Sequence, residues 1–136
     1  MFIIYLMNIK YRKMNWLLGR NSELSITNKL LLYKQVLKPV WMYGLQLYGC
    51  TKDSNLKIIQ TFQNKVLRNI VNAPWYSRNS DLHRDLNIPT VAEEVRNCAQ
   101  KHEIRLHDHV NVEAIQLLDT SRTVRRLKRT KPQDLV

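Results

Sequence analysis

A chain of 136 residues is long enough for one domain, and a 44% hydrophobic content excludes a disordered tail. Three glycines and four prolines supply too few turns for an all-β fold, so helices are the expectation. The net charge of +11 is uneven: residues 1–78 carry twelve bases and two acids, residues 79–119 four and eight, residues 120–136 six and one.

The opening run Met1-Phe2-Ile3-Ile4-Tyr5-Leu6-Met7 is too short to span a bilayer, and its charges follow it, unlike those of a signal peptide. It reads as a buried helix start or a scar of truncation. The first helix is predicted from Phe2 to Leu18, stopping at Gly19. Ser25 is a good N-cap for a second helix through Leu47, with Ile26, Leu30, Tyr33, Leu37, Val40 and Leu47 apolar. Pro39 lacks an N–H and collides with the Gln35 carbonyl, so it should kink or split that helix. The segment is apolar nearly all round and calls for burial on several sides.

Asp53 or Ser54 is the expected cap of a third helix, Asn55 to Val71. Its apolar stripe is Ile59, Phe62, Val66 and Ile70; Lys57, Thr61, Asn64, Lys65 and Arg68 face away. A short helix from Asp81 to Leu86, capped by Ser80, follows Ala73-Pro74-Trp75. Thr90-Val91-Ala92-Glu93 has capping-box spacing and opens a fifth helix reaching about His107. Asn111 caps a last helix through Leu118. The tail holding Arg122, Arg125, Arg126, Lys128, Arg129 and Lys131 has almost nothing to bury and reads as mobile. The fold class is therefore all-α: an irregular multi-helix bundle (residues 1–119) with a Pro-kinked apolar helix and a flexible basic tail (120–136).

The residues offer little catalytic chemistry. Two-metal phosphoryl transfer needs carboxylates converging on cations about 4 Å apart. The aspartates are scattered, and Asp81 with Asp85 reads as a solvated first turn. Glu93 already has a capping role, and Glu94 points about 100° away from it. Cys98 and His102 stand at i, i+4, with His107 and His109 nearby, but no CxxC or paired-histidine hairpin accompanies them. Ordinary, partly buried histidines are the expectation, and no metal or catalytic site is assigned. Gly19, Gly44 and Gly49 form no phosphate loop, and neither thiol has a partnered base. Cys50 and Cys98 lie too far apart in sequence to imply a disulfide framework, which suits reduced thiols inside a cell, in nucleus or cytoplasm.

Basic zones around an acidic one point to a polyanion, because each neutralised phosphate releases counterions; a solubilising surface is the plain alternative. The candidate phosphate contacts are Lys10, Arg12, Lys13, Arg20, Lys57, Lys65, Arg68, Arg122, Arg125, Arg126, Lys128, Arg129 and Lys131. Trp16 beside Arg20, and Trp75-Tyr76 beside Arg78, can stack on bases while the cation meets phosphate. Core packing is nonetheless the favoured reading of Trp16 and Trp75, as of Trp41 and Tyr43. Nothing in the pattern looks built to read base edges.

Several blocks are familiar in order: Trp16-Leu17-Leu18-Gly19-Arg20-Asn21-Ser22, Asn28-Lys29-Leu30-Leu31-Leu32-Tyr33-Lys34, Lys38-Pro39-Val40-Trp41, Tyr43-Gly44, Gln46-Leu47-Tyr48-Gly49-Cys50, Phe62-Gln63-Asn64-Lys65-Val66-Leu67-Arg68, Ala73-Pro74-Trp75-Tyr76, Asp81-Leu82-His83 and Ile88-Pro89. From about Lys10 onward the chain resembles the C-terminal end of the reverse transcriptases of jockey-type non-LTR retrotransposons. Tyr48 stands where tryptophan is usual, and Asn87 where glycine is common. The resemblance implies the helical thumb and the segment after it. The palm, with its aromatic-x-Asp-Asp metal motif, and the endonuclease would lie upstream; no Asp-Asp pair occurs here. Magnesium would then belong to the full-length polymerase alone. RNA, DNA or an RNA–DNA hybrid is the expected partner, with the polymerase palm or a related full-length polymerase beside it, and no membrane. An interaction module acting in trans and a translated relic are the rival readings.

Overall fold

The computed structural model describes residues 2–43, 45 and 53–116. The tail from Arg122 to Lys131, the stretch through Leu47 and the last helix beyond Gln116 lie outside the described residues. Within them the chain is helical with no strand: α1 (Phe2–Leu18), α2 (Ile26–Leu32), a π turn (Tyr33–Leu37), α3 (Lys38–Met42), α4 (Asp53–Val71), α5 (Asn79–Asp85), α6 (Val91–His107) and α7 (Val112–Gln116).

The Ser25 side chain accepts from the Asn28 N–H, as its sequence position predicts. Pro39 acts through the turn before it. The helical ladder widens over Tyr33–Leu37, and the Lys38 N–H donates to the Tyr33 carbonyl, five residues back. The extra residue in the turn carries the chain past the proline without splitting the run. Tyr43, with φ −63° and ψ 121°, ends it.

One apolar core joins these elements. Met7 and Leu18 of α1 meet Tyr33 and Leu37 of the π turn and Trp41 of α3; Ile59, Phe62, Val66, Leu67 and Ile70 of α4 close it, with Ile88, Val91 and Val95 at the start of α6. Tyr11 packs edge-on against Phe62, ring centres 5.8 Å apart. Burial pushes the Tyr33 hydroxyl up to about 12. Neither that hydroxyl nor the Trp41 indole N–H has a partner among the described residues.

Four expectations need correction. Asp53 and Ser54 lie inside the first turn of α4, where Asp53 meets the positive end of the helix dipole. Ser80 lies inside α5, which starts at Asn79 after Arg78 with no side-chain cap. Trp16 and Trp75 are not core: they are 75% and 90% exposed, and Trp75 stands edge-on to an exposed Tyr76. Tyr43 is 86% exposed, whereas Trp41 is fully buried. Trp16 lies on the side of α1 opposite the buried Met7 and Leu18, Trp75 in the loop between α4 and α5, and Tyr43 just past the end of α3.

Helix ends carry the remaining signals. Asn72 and Asn87 have φ of 53° and 48°, the left-handed region that asparagine tolerates better than other side chains. Both close Schellman-type ends: Ala73 N–H bonds to the Arg68 carbonyl and Ile88 N–H to that of His83. Asparagine at 87 thus answers the geometric demand that makes glycine common there. The Thr90–Glu93 capping box forms in both directions, and Asn111 caps α7 by accepting from the Glu113 N–H.

Candidate nucleic-acid interface

Helix α1 carries no acidic residue. At 100° per residue, Phe2, Tyr5, Ile9, Arg12, Lys13 and Trp16 fall within an arc of about 100°, opposite the buried Met7 and Leu18. All six except the half-buried Ile9 are exposed. Phe2 to Trp16 spans about 21 Å at 1.5 Å per residue. Aromatic rings and cations therefore share one solvent-facing stripe, flanked by an exposed Lys10. Among the described residues Lys10, Arg12, Lys13, Arg20, Lys57 and Lys65 make no ion pair.

Arg68 is different. Its Nε donates to Asn79 Oδ1 at 3.0 Å, one terminal nitrogen to the Pro74 carbonyl at 3.2 Å and the other to the Ser77 carbonyl. The guanidinium clamps the loop between α4 and α5 and is largely consumed by it. Asn64, also placed on the outer face by periodicity, turns inward. It meets buried His83, whose Nε2 is 2.8 Å from Asn64 Oδ1 and whose Nδ1 donates to the Ile88 carbonyl at 2.8 Å. Gln60 accepts from the Val91 N–H and Gln63 donates to the Pro89 carbonyl. This polar seam fastens α4 to α5 and α6. His83, a residue with no catalytic neighbours, was legible only as part of a family block.

Two lysines outside the candidate set also proved structural. Lys29 is buried, and its ammonium donates to the Gly19 carbonyl at 2.8 Å, offsetting the negative end of α1. Lys38 pairs with Glu94 in a short, mostly buried ion pair that ties α3 to α6. Burial, with the Glu94 charge second, raises the Cys98 thiol, so it is no ready nucleophile. Among the described residues no three His, Cys, Asp or Glu side chains converge on a possible metal.

Two clefts open on the surface among the described residues. One, of about 460 Å³, is lined by Asn15, Trp16, Gly19, Arg20, Asn21 and Asn69. The packing of α1 on α4 builds it: the Asn69 amide donates to Tyr11 Oη at 2.8 Å and Asn15 Oδ1 at 3.3 Å. Gly19 is required by close approach, because a Cβ there would stand 2.6 Å from the Asn15 carbonyl oxygen. Lys65 is exposed on α4 one turn before Asn69, so it flanks this cleft; Lys57 lies two turns further away. The other cleft, of about 790 Å³, includes Ser80, His83, Arg84, Asn87, Thr90 and Glu93 in its lining. Glu93 is held below its ordinary carboxylate range by the backbone and side-chain bonds to Thr90, and Arg84 is occupied by Asp81 and Asp85. That balance suits an anion poorly.

No family model matches the chain, and no solved structure matches it. Curated proteins do. The chain is 46% identical over 127 residues to the probable RNA-directed DNA polymerase from transposon X-element of Drosophila melanogaster, covering 93% of this chain and 14% of that protein. It is 40% identical over 132 residues to the RNA-directed DNA polymerase from mobile element jockey of Drosophila funebris, again 14% of that protein. A probable RNA-directed DNA polymerase from transposon BS of Drosophila melanogaster is 38% identical over 120 residues. The chain spans about one-seventh of the length of these relatives. With such identity over about 90% of its length, it corresponds to a C-terminal segment of the RNA-directed DNA polymerases of jockey-type mobile elements.

Proposed function

We propose that the chain is a thumb-like segment that grips nucleic acid, RNA, DNA or their hybrid, and performs no polymerisation by itself. The observation that carries this reading is the acid-free, exposed face of α1 with Arg12 and Lys13, which make no ion pair among the described residues, in a segment homologous to polymerases. A thumb needs cationic helix faces and a rigid helical body, and it leaves metal chemistry to carboxylates elsewhere. Contacts of this kind position a duplex through phosphates.

Titration of a labelled RNA–DNA hybrid at several salt concentrations tests the reading. The log–log slope should be about −0.9 per phosphate neutralised on a duplex. Deleting residues 120–136, which removes six bases, should flatten that slope. The double variant Arg12→Ala, Lys13→Ala should flatten it again by roughly two phosphates' worth. Negligible affinity at low salt would overturn the reading. Primer extension by the pure chain with magnesium or manganese should give no product above a buffer control.

A further inference from the structure

We infer that the cleft at the C-terminal end of α1 is a site for one unpaired nucleobase, with Trp16 as its stacking platform and Arg20 as the contact to the adjoining phosphate. The inference rests on the nucleic-acid reading above and deepens it. A single strand, rather than the paired body of a duplex, is the ligand of this site.

The cleft holds the three kinds of group that recognise an exposed base. The first is a flat aromatic face: Trp16 is 75% exposed, an unfavourable state for so large an apolar ring unless something covers it. The second is a set of amides. Asn69 spends its amide hydrogens on Tyr11 and Asn15, which leaves its Oδ1 as an acceptor; Asn15 keeps an Nδ2 donor, and Asn21 has neither group engaged among the described residues. Adjacent donors and acceptors are what the Watson–Crick edge of an unpaired base offers in return. The third is charge. Arg20 lines the cleft, and Lys65 lies one turn from Asn69. An anion at a helix C-terminus would ordinarily be repelled, but Lys29 already neutralises the Gly19 carbonyl. Gly19 forms part of the lining, and its missing side chain lets the backbone pass close to Asn15.

The size agrees as well. About 460 Å³ of open cleft has room for one base and its sugar. Beyond it the α1 stripe continues through Lys13 and Arg12 to Tyr5, so a strand leaving the cleft would cross two cations and then a ring.

The test uses the full chain and three probes of equal length: an eight-nucleotide oligoadenylate, an abasic strand with the same phosphates, and a blunt RNA–DNA hybrid. The oligoadenylate should bind about tenfold or more tightly than the abasic strand, the size expected for losing base–aromatic stacking. Trp16→Ala should erase that preference; Trp16→Tyr should keep most of it. In a Trp75→Phe background, oligoadenylate should quench the exposed tryptophan fluorescence and the abasic strand should not. If hybrid binds with a salt slope but base-bearing and abasic strands bind alike, the base site is wrong and the grip stands. If Trp16→Ala leaves the preference intact, the base site is wrong too. If none of the three probes binds at low salt, both readings fall together.

Discussion

Lys65 and Arg68 stand three residues apart on α4, yet packing has given them different roles. Periodicity places both on the outer face. The loop 74–79 then folds back and draws Arg68 into three hydrogen bonds, leaving Lys65 in solvent. Two of the three acceptors are open to water and only the Ser77 carbonyl is partly buried, so Arg68→Ala should destabilise the fold by about 1 kcal/mol. Lys65→Ala should change stability by less than about 0.5 kcal/mol while reducing hybrid affinity. Urea unfolding followed by circular dichroism separates the two variants. An unshifted midpoint for Arg68→Ala would show that the clamp does not hold the loop. Trp16 differs from expectation in another way: its residue type favoured burial, but it stands on the side of α1 opposite the buried Met7 and Leu18.

Helices were the most legible level. The extents of α1 and α6 follow from apolar spacing and from Gly19, Thr90 and Glu93, because caps and periodicity are local physics. The start of α5 was not legible. Asn79 lends its side chain to Arg68, and the helix starts two residues earlier than a Ser80 cap would dictate. The π turn was half legible: Pro39 announced a disturbance, but its form depended on Tyr33 and Trp41 both reaching the core. The capping box gives a pH-dependent prediction. Its hydrogen bonds lower the Glu93 folded pKa beneath the ordinary 4.5, so the charged carboxylate stabilises the fold above that value. The contribution is lost as pH falls through the lower folded value. Because Glu93 is exposed, Glu93→Gln should cost only about 0.3–0.5 kcal/mol at pH 7 and low salt. Thermal unfolding across a pH series should show the two proteins converging in acid; a constant gap would remove the charge from the explanation.

On the whole molecule, apolar surface remains uncovered. Leu31, Tyr43, Phe2, Tyr5 and Trp16 are all exposed, and the segment is about one-seventh of its polymerase relatives. Exposed apolar side chains in such number favour association. Sedimentation velocity of the pure chain in moderate salt should therefore show species heavier than the 16.2 kDa monomer. Leu31→Gln with Tyr43→Ser should shift them toward monomer. A clean wild-type monomer with a sharp thermal transition would mean that the chain covers these groups itself. No helix among the described residues is long and apolar enough to cross a membrane.

The sequence by itself determined the all-helical class, most helix ends, the uneven charge and the kinship, since each depends on residues close together or on blocks in order. Tertiary structure alone decided which polar groups turn inward and which rings turn out. Lys29, Asn64, His83 and Arg68 became internal fastenings, while Trp16, Tyr43 and Trp75 were left in solvent. Helical periodicity says which residues share a face, but not what will lie against that face. Asn15 and Asn69, 54 positions apart, share a cleft only because Tyr11 packs on Phe62 and brings α1 onto α4.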